Sequence, residues 1–171
     1  MSDLFRVHMV GVGGSGMLPL ALLLKQAGHS VSGSDNASDP SRFALLREHG
    51  VAVLSGTGPA VVQRAWGVVV SPAIPETHIE RRAARREGVP IKARAKVLAE
   101  LIADRAAVCV AGSHGKSTTT AMLVQILSAV QDSAFGYMLG ASFTTTGFMP
   151  ARLGQPGTPF ITEACEAYGA L

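Results

Sequence analysis

Residues 111–120, Ala-Gly-Ser-His-Gly-Lys-Ser-Thr-Thr-Thr, constrain the fold most, because a glycine-bracketed loop carrying Lys116 and Ser117 works only between a strand and a helix. Val108, Val110 and Ala111 are apolar and partly β-branched, which predicts a buried parallel strand ahead of the loop, and residues 121–127 predict a helix behind it. Where a strand's carboxyl end meets a helix's amino end, unpaired backbone N–H groups and the helix dipole favour an anion, and glycines let the backbone wrap it closely. Gly112, Ser113, His114 and Gly115 are then candidates to cradle nucleotide phosphates. Lys116 would set a charge against the terminal phosphates, and the hydroxyl of Ser117 or Thr118 would meet Mg²⁺. Val110 stands where the usual G-x-x-x-x-G-K-[ST] has its first glycine, leaving G-x-x-G-K-S. So short a motif also describes a Gly-rich turn capped by Ser and Thr; the strand-loop-helix setting favours phosphate.

A second glycine motif lies a domain earlier. Residues 5–10 predict a strand, Gly11-Val12-Gly13-Gly14-Ser15-Gly16 follows it, and residues 18–26 predict a helix ended by Gly28. A strand over 31–34 ends in Asp35, nineteen residues after Gly16, where dinucleotide-binding folds carry an acid for the ribose. The fold implied is a βαβ unit. Its ligand stays open, since the same glycines serve any phosphate-bearing group at a helix N-terminus.

Strand and helix go on alternating. A helix over 40–49 carries Phe43 and Leu46 on its apolar face, Gly50 closes it, and strands follow at 51–54 and 68–70. The second of these runs into Ser71-Pro72-Ala73-Ile74-Pro75, a proline-enforced loop at a strand's carboxyl end and a second candidate contact region. A helix over 76–87 holds Arg81, Arg82, Arg85 and Arg86; with Glu80 and Glu87 flanking them it reads as a solvated face rather than an anion patch. A short strand at 89–91 and a helix over 95–102 lead to the phosphate loop. A boundary near residues 103–107 divides the chain into 1–105 and 106–171. Residues 131–158 are rich in Gly, Thr, Ser and Pro, with patterned pieces only at 135–139 and 152–154, and a last strand at 160–162 runs into Glu163-Ala164-Cys165-Glu166. The fold class is α/β: a Rossmann-like parallel-sheet unit followed by an incomplete phosphate-loop ATPase unit.

Composition excludes several alternatives. With 47% hydrophobic and 16% charged residues the chain is not disordered, and a net charge of +3 is too small by itself to argue for nucleic acid. Cys109 and Cys165 show neither metal-ligand spacing nor a disulfide framework, which suits a reducing cytoplasm. No apolar run approaches the ~18 residues of a membrane span, and the N-terminus lacks a signal peptide's pattern.

The two glycine motifs, with Gly33-Ser34-Asp35, Ser71-Pro72-Ala73-Ile74, Arg94-Ala95 and Leu98-Ala99-Glu100-Leu101, resemble the Mur ligases of peptidoglycan synthesis over the whole chain. That resemblance implies a Rossmann-type domain holding the UDP part of a substrate, then an ATPase domain, with the chain covering the first third of a three-domain protein. Implied activity is ATP-dependent amide-bond formation between UDP-N-acetylmuramate and L-alanine through an acyl phosphate, with ATP and Mg²⁺ as cofactors. Residue by residue, it places Lys116 at the transferred phosphate, Ser117 and Glu166 on Mg²⁺, and Gly13, Gly14, Ser15, Gly16, Met17, Asp35, Ser71 and Arg94 on segments facing the UDP-sugar. The Gly13-Gly14 pair favours this activity over that of the branch that reattaches recycled murein tripeptide, whose pattern has cysteine at the first of these positions, and that branch stays open as an alternative. Departures are Cys165 and Ala167 in place of an Asp and a Ser around the metal site, and Lys96 in place of an acid. A non-catalytic UDP-sugar module and a nicotinamide- or flavin-binding regulatory domain stay open, as does oligomeric state.

Overall fold

A computed structural model describes residues 6–36, 39–130, 134–140 and 149–164. The first half is a five-stranded, wholly parallel sheet: β1 (Arg6–Val10), β2 (Ser30–Asp35), β3 (Ala52–Ser55), β4 (Gly67–Val70) and β5 (Ile91–Ala93), in the order β3-β2-β1-β4-β5. Helices α1 (Met17–Gln26), α2 (Pro40–Glu48), α3 (Ile79–Arg86) and α4 (Arg94–Leu101) make the connections, with a 3₁₀ turn at Pro59–Arg64. Strand order reverses between β1 and β4, so their carboxyl ends open a crevice at the topological switch point. Val10 pairs with Val70 as the last rung, and Gly11 and Ser71 leave it as the crevice's two lips.

The alternation predicted from sequence is present, with shifted ends at two places. The helix predicted over 76–87 starts at Ile79, because Pro75 accepts a turn hydrogen bond from His78 and the His78 side chain caps the Glu80 N–H. The strand predicted at 89–91 is Ile91–Ala93. Pro90 has no N–H for the ladder and contributes only its carbonyl, to Val68 N–H at 2.8 Å.

A second sheet follows: β6 (Ala107–Val110), β7 (Gly136–Met138), β8 (Ala151–Arg152) and β9 (Phe160–Glu163), in the order β6-β9-β7-β8, with α5 (Lys116–Val130) after β6. β6 and β7 run parallel to β9 and β8 runs antiparallel to β7. The expectation of a buried strand ahead of the phosphate loop is corrected here. β6 is an edge strand paired only with β9 among the described residues, and Val108 and Cys109 are exposed. One apolar cluster joins α1 and β2 to Met138, Ala151 and Phe160 of the second sheet. Gln26 at the end of α1 accepts from Leu153 N–H at 2.7 Å, and Arg105 donates to the Leu153 carbonyl.

Candidate functional site

The glycine turn after β1 is held on both sides of the Gly13 peptide. Gly13 N–H donates to Asp35 Oδ2 at 2.8 Å, and Arg42 Nη1 donates to the Gly13 carbonyl at 2.7 Å. Asp35, expected to meet a ligand, therefore spends one oxygen on the turn. Gly14 N–H closes on the Gly11 carbonyl, and the Gly14 carbonyl takes the Met17 and Leu18 N–H groups that begin α1. Gly11 needs its φ of 78° to turn off β1. Arg94, at the start of α4, lays its guanidinium on Gly16: a Cβ there would sit 2.8 Å from Arg94 Cζ. Gly16 caps α1 with no side-chain hydrogen bond, and the N–H groups of Ser15 and Gly16 have no partner among the described residues. Open donors, a helix N-terminus and a guanidinium thus share one spot, which is what a phosphate group requires.

The Met17 side chain is buried in the core cluster, and its backbone N–H closes the turn on the Gly14 carbonyl. Ser71 heads the second lip, where its hydroxyl accepts from Ala73 N–H at 3.3 Å and its carbonyl from Ile74 N–H. Arg42 was not foreseen, and no motif spacing marks it; only its place one turn into a helix beside the glycines does.

In the second sheet, Val110 pairs in register with Glu163, so the phosphate loop and the end of β9 lie side by side. Glu163 Oε2 accepts from Ser117 Oγ at 2.9 Å, while Oε1 accepts from Gly140 N–H at 2.9 Å just beyond β7. Lys116 Nζ donates to the Gly112 carbonyl at 2.5 Å, which keeps its ammonium within the loop. Gly112 and Gly115 take φ values of 146° and 77°, conformations that side-chain-bearing residues avoid. Ser113, His114, Gly115 and Thr118 are exposed around the mouth. Glu166 and Cys165 lie outside the described residues. The carboxylate that the described residues bring to Ser117 is Glu163, which sequence reasoning passed over for its neighbour.

Among the described residues no three His, Cys, Asp or Glu side chains cluster. One hydroxyl and one carboxylate beside a phosphate loop suit Mg²⁺, which binds through one or two protein oxygens, waters and substrate phosphates.

The solvated-face reading of α3 holds for Arg82, Arg85, Arg86 and Glu87, which are exposed, and is corrected at Glu80 and Arg81. Glu80 is fully buried, with Ser34 Oγ donating to its Oε2 at 2.5 Å, Gly58 N–H donating to its Oε1 at 3.0 Å and His8 Nε2 3.5 Å away. Burial alone would raise its pKa, but the hydrogen bonds from His8, Ser34 and Gly58 outweigh that and hold it below the ordinary value. Arg81 also turns inward, donating to the Ile74 carbonyl at 2.7 Å and pairing with Glu76.

The sequence pattern described as Mur ligase family, catalytic domain, matches residues 6–106. A UDP-N-acetylmuramate–L-alanine ligase of Acidithiobacillus ferrooxidans is 44% identical over 163 residues, covering 95% of this chain and 34% of that protein. A murein peptide ligase structure from Psychrobacter arcticus superposes with a TM-score of 0.86 at 29% identity, covering 95% of this chain and 38% of that one. A UDP-N-acetylmuramate–alanine ligase structure from Thermotoga maritima gives 0.80 at 26%, covering 93% and 37%. The chain spans about a third of the length of the curated relatives it matches.

Proposed function

The chain belongs to the Mur ligase family, and from that premise we propose that it supplies the UDP-sugar site and phosphate loop of an ATP-dependent ligase joining L-alanine to UDP-N-acetylmuramate in peptidoglycan precursor synthesis. The carrying observation is a pair of separate glycine turns, each at the carboxyl end of a strand whose paired neighbours run parallel to it: the glycine turn under Arg94, and the loop of Lys116 beside Ser117 and Glu163. Residues 1–105 take the UDP-sugar, with the diphosphate at the Ser15 and Gly16 N–H groups and Arg94, and Ser71 on the opposite lip. Residues 106–171 begin the ATP site, with Gly112, Ser113, His114, Gly115 and Thr118 around the phosphates. Lys116 would neutralise the γ-phosphoryl group as it passes from ATP to the substrate carboxylate, and Ser117 and Glu163 would hold Mg²⁺. The metal supplies charge neutralisation across the phosphates when bound. A cytoplasmic setting follows from the precursor chemistry, and no described helix is long and apolar enough to cross a membrane.

A second reading, the murein-peptide ligase, draws on the higher TM-score of 0.86 against 0.80. The 44% identity to an alanine ligase and the Gly13-Gly14 pair favour the first. Calorimetric titration with UDP-N-acetylmuramate and with NAD tests the site. The UDP-sugar should bind and Gly16→Asp should abolish that binding, because its side chain would meet the Arg94 guanidinium and set a carboxylate where the diphosphate would lie; binding of NAD alone would overturn the reading.

A further inference from the structure

Two consecutive residues of α3 reach both lips of the switch-point crevice. The first lip hangs on Ser34, whose carbonyl accepts the Gly11 and Val12 N–H groups at 2.8 and 3.1 Å and whose hydroxyl donates to Glu80. The second lip hangs on Arg81, which donates to the Ile74 carbonyl and pairs with Glu76. Across the gap the lips approach closely: Ile74 Cδ1 lies 3.3 Å from where a Cβ on Gly11 would stand. Glu80 is fully buried and the Arg81 side chain is 14% exposed, on a helix whose other charged residues are mostly solvated.

A buried carboxylate is a poor way merely to fasten a helix, because apolar residues of similar volume hold as well without desolvating a charge. What charged hydrogen bonds add is direction. We propose that Glu80 and Arg81 are positioning residues that set the gap between the glycine turn and the Ser71–Ile74 lip, and so the fit of a nucleoside diphosphate-sugar in it. The inference rests on the proposed ligand of that site, and it assigns to α3 a part in recognition although neither residue touches the ligand.

The test uses the 171-residue chain with Arg81→Met, which keeps the packed stem and removes the donors, together with Arg81→Lys and Glu80→Gln. In the ligand-free protein, Arg81→Met should move the Ile74 methyl resonance and the Gly11 and Gly13 amide resonances. It should weaken UDP-N-acetylmuramate by about tenfold while the melting temperature stays close to that of the parent, and Arg81→Lys should recover part of the affinity. Glu80→Gln should move the Gly11 and Val12 amides; if that variant does not fold, the Arg81 pair still decides. Unchanged lip resonances in Arg81→Met, or an affinity loss that merely follows loss of folded protein, would overturn the proposal. If the parent chain fails to bind UDP-N-acetylmuramate, the ligand assignment falls, while the ligand-free resonances still show whether α3 sets the gap.

Discussion

A Cβ added at Gly33 would meet Val12 Cγ1 and Cγ2 at 2.7 Å, deep under the glycine turn, whereas one added at Gly16 would meet the end of a movable arginine. Gly33→Ala should therefore cost about 1–3 kcal/mol in a denaturant titration, because neither β2 nor the buried Val12 can step aside. Gly16→Ala should leave the unfolding midpoint near that of the parent and weaken UDP-N-acetylmuramate in calorimetry, since Arg94 must swing off the spot where the diphosphate would lie. Equal destabilisation by the two substitutions would contradict this division. Glu80 adds a pH dependence whose sign follows from its depressed pKa. Between its ordinary value of 4.5 and its lower folded value, the unfolded chain binds the proton and the folded chain does not. Its stabilisation is thus complete above about that ordinary value and is lost as pH falls through the folded one. Urea midpoints measured from pH 6 down to pH 3 should fall less steeply in Glu80→Gln than in the parent.

Both glycine turns could be placed from sequence because their chemistry is local: a turn needing positive φ or close backbone approach announces itself as glycine, and a helix follows at once. The edges of that legibility lie where partners come from elsewhere in the chain. A run such as Ala107–Val110 reads alike as a central or an edge strand, and only pairing shows that β6 has β9 beside it and its other residues exposed. Glu80 looked like a helix-surface acid because the fact that buries it, the approach of Ser34 and Gly58, is 46 and 22 residues away in sequence. That Glu163 comes to the phosphate loop is visible only in the Val110–Glu163 register. On α5 the same uncertainty yields a prediction. Met122, Ile126 and Val130 are 60, 62 and 73% exposed, an apolar stripe that favours association of the isolated chain. Met122→Lys with Ile126→Glu should reduce concentration-dependent light scattering and change unfolding free energy by no more than about 0.5 kcal/mol each. A large loss of stability would mean that these side chains pack against something.

At the scale of the whole molecule, the two sheets are joined by more than the chain between α4 and β6. Leu20, Leu23 and Leu24 of α1 belong to the same continuous apolar cluster as Met138, Ala151 and Phe160 of the second sheet, and Gln26 and Arg105 both bond to Leu153 across the junction. A shared core makes the two units melt together, because exposing one side of the cluster strips contacts from the other. Trp66, the only tryptophan in the chain, donates its backbone N–H to the Arg6 carbonyl of β1 and lines a pocket with Val7, Leu24, Pro90 and Leu101, so its fluorescence reports on the first unit. Phe160→Ala, a truncation on β9, should remove about 3–5 kcal/mol, and that loss should appear in full in the Trp66 fluorescence transition. Far-ultraviolet circular dichroism, which sees both sheets, should give the same midpoint. If the Trp66 transition stayed at the parent's midpoint while circular dichroism split into two steps, the cluster would be two cores in contact, and the UDP-sugar unit would fold without the phosphate-loop unit.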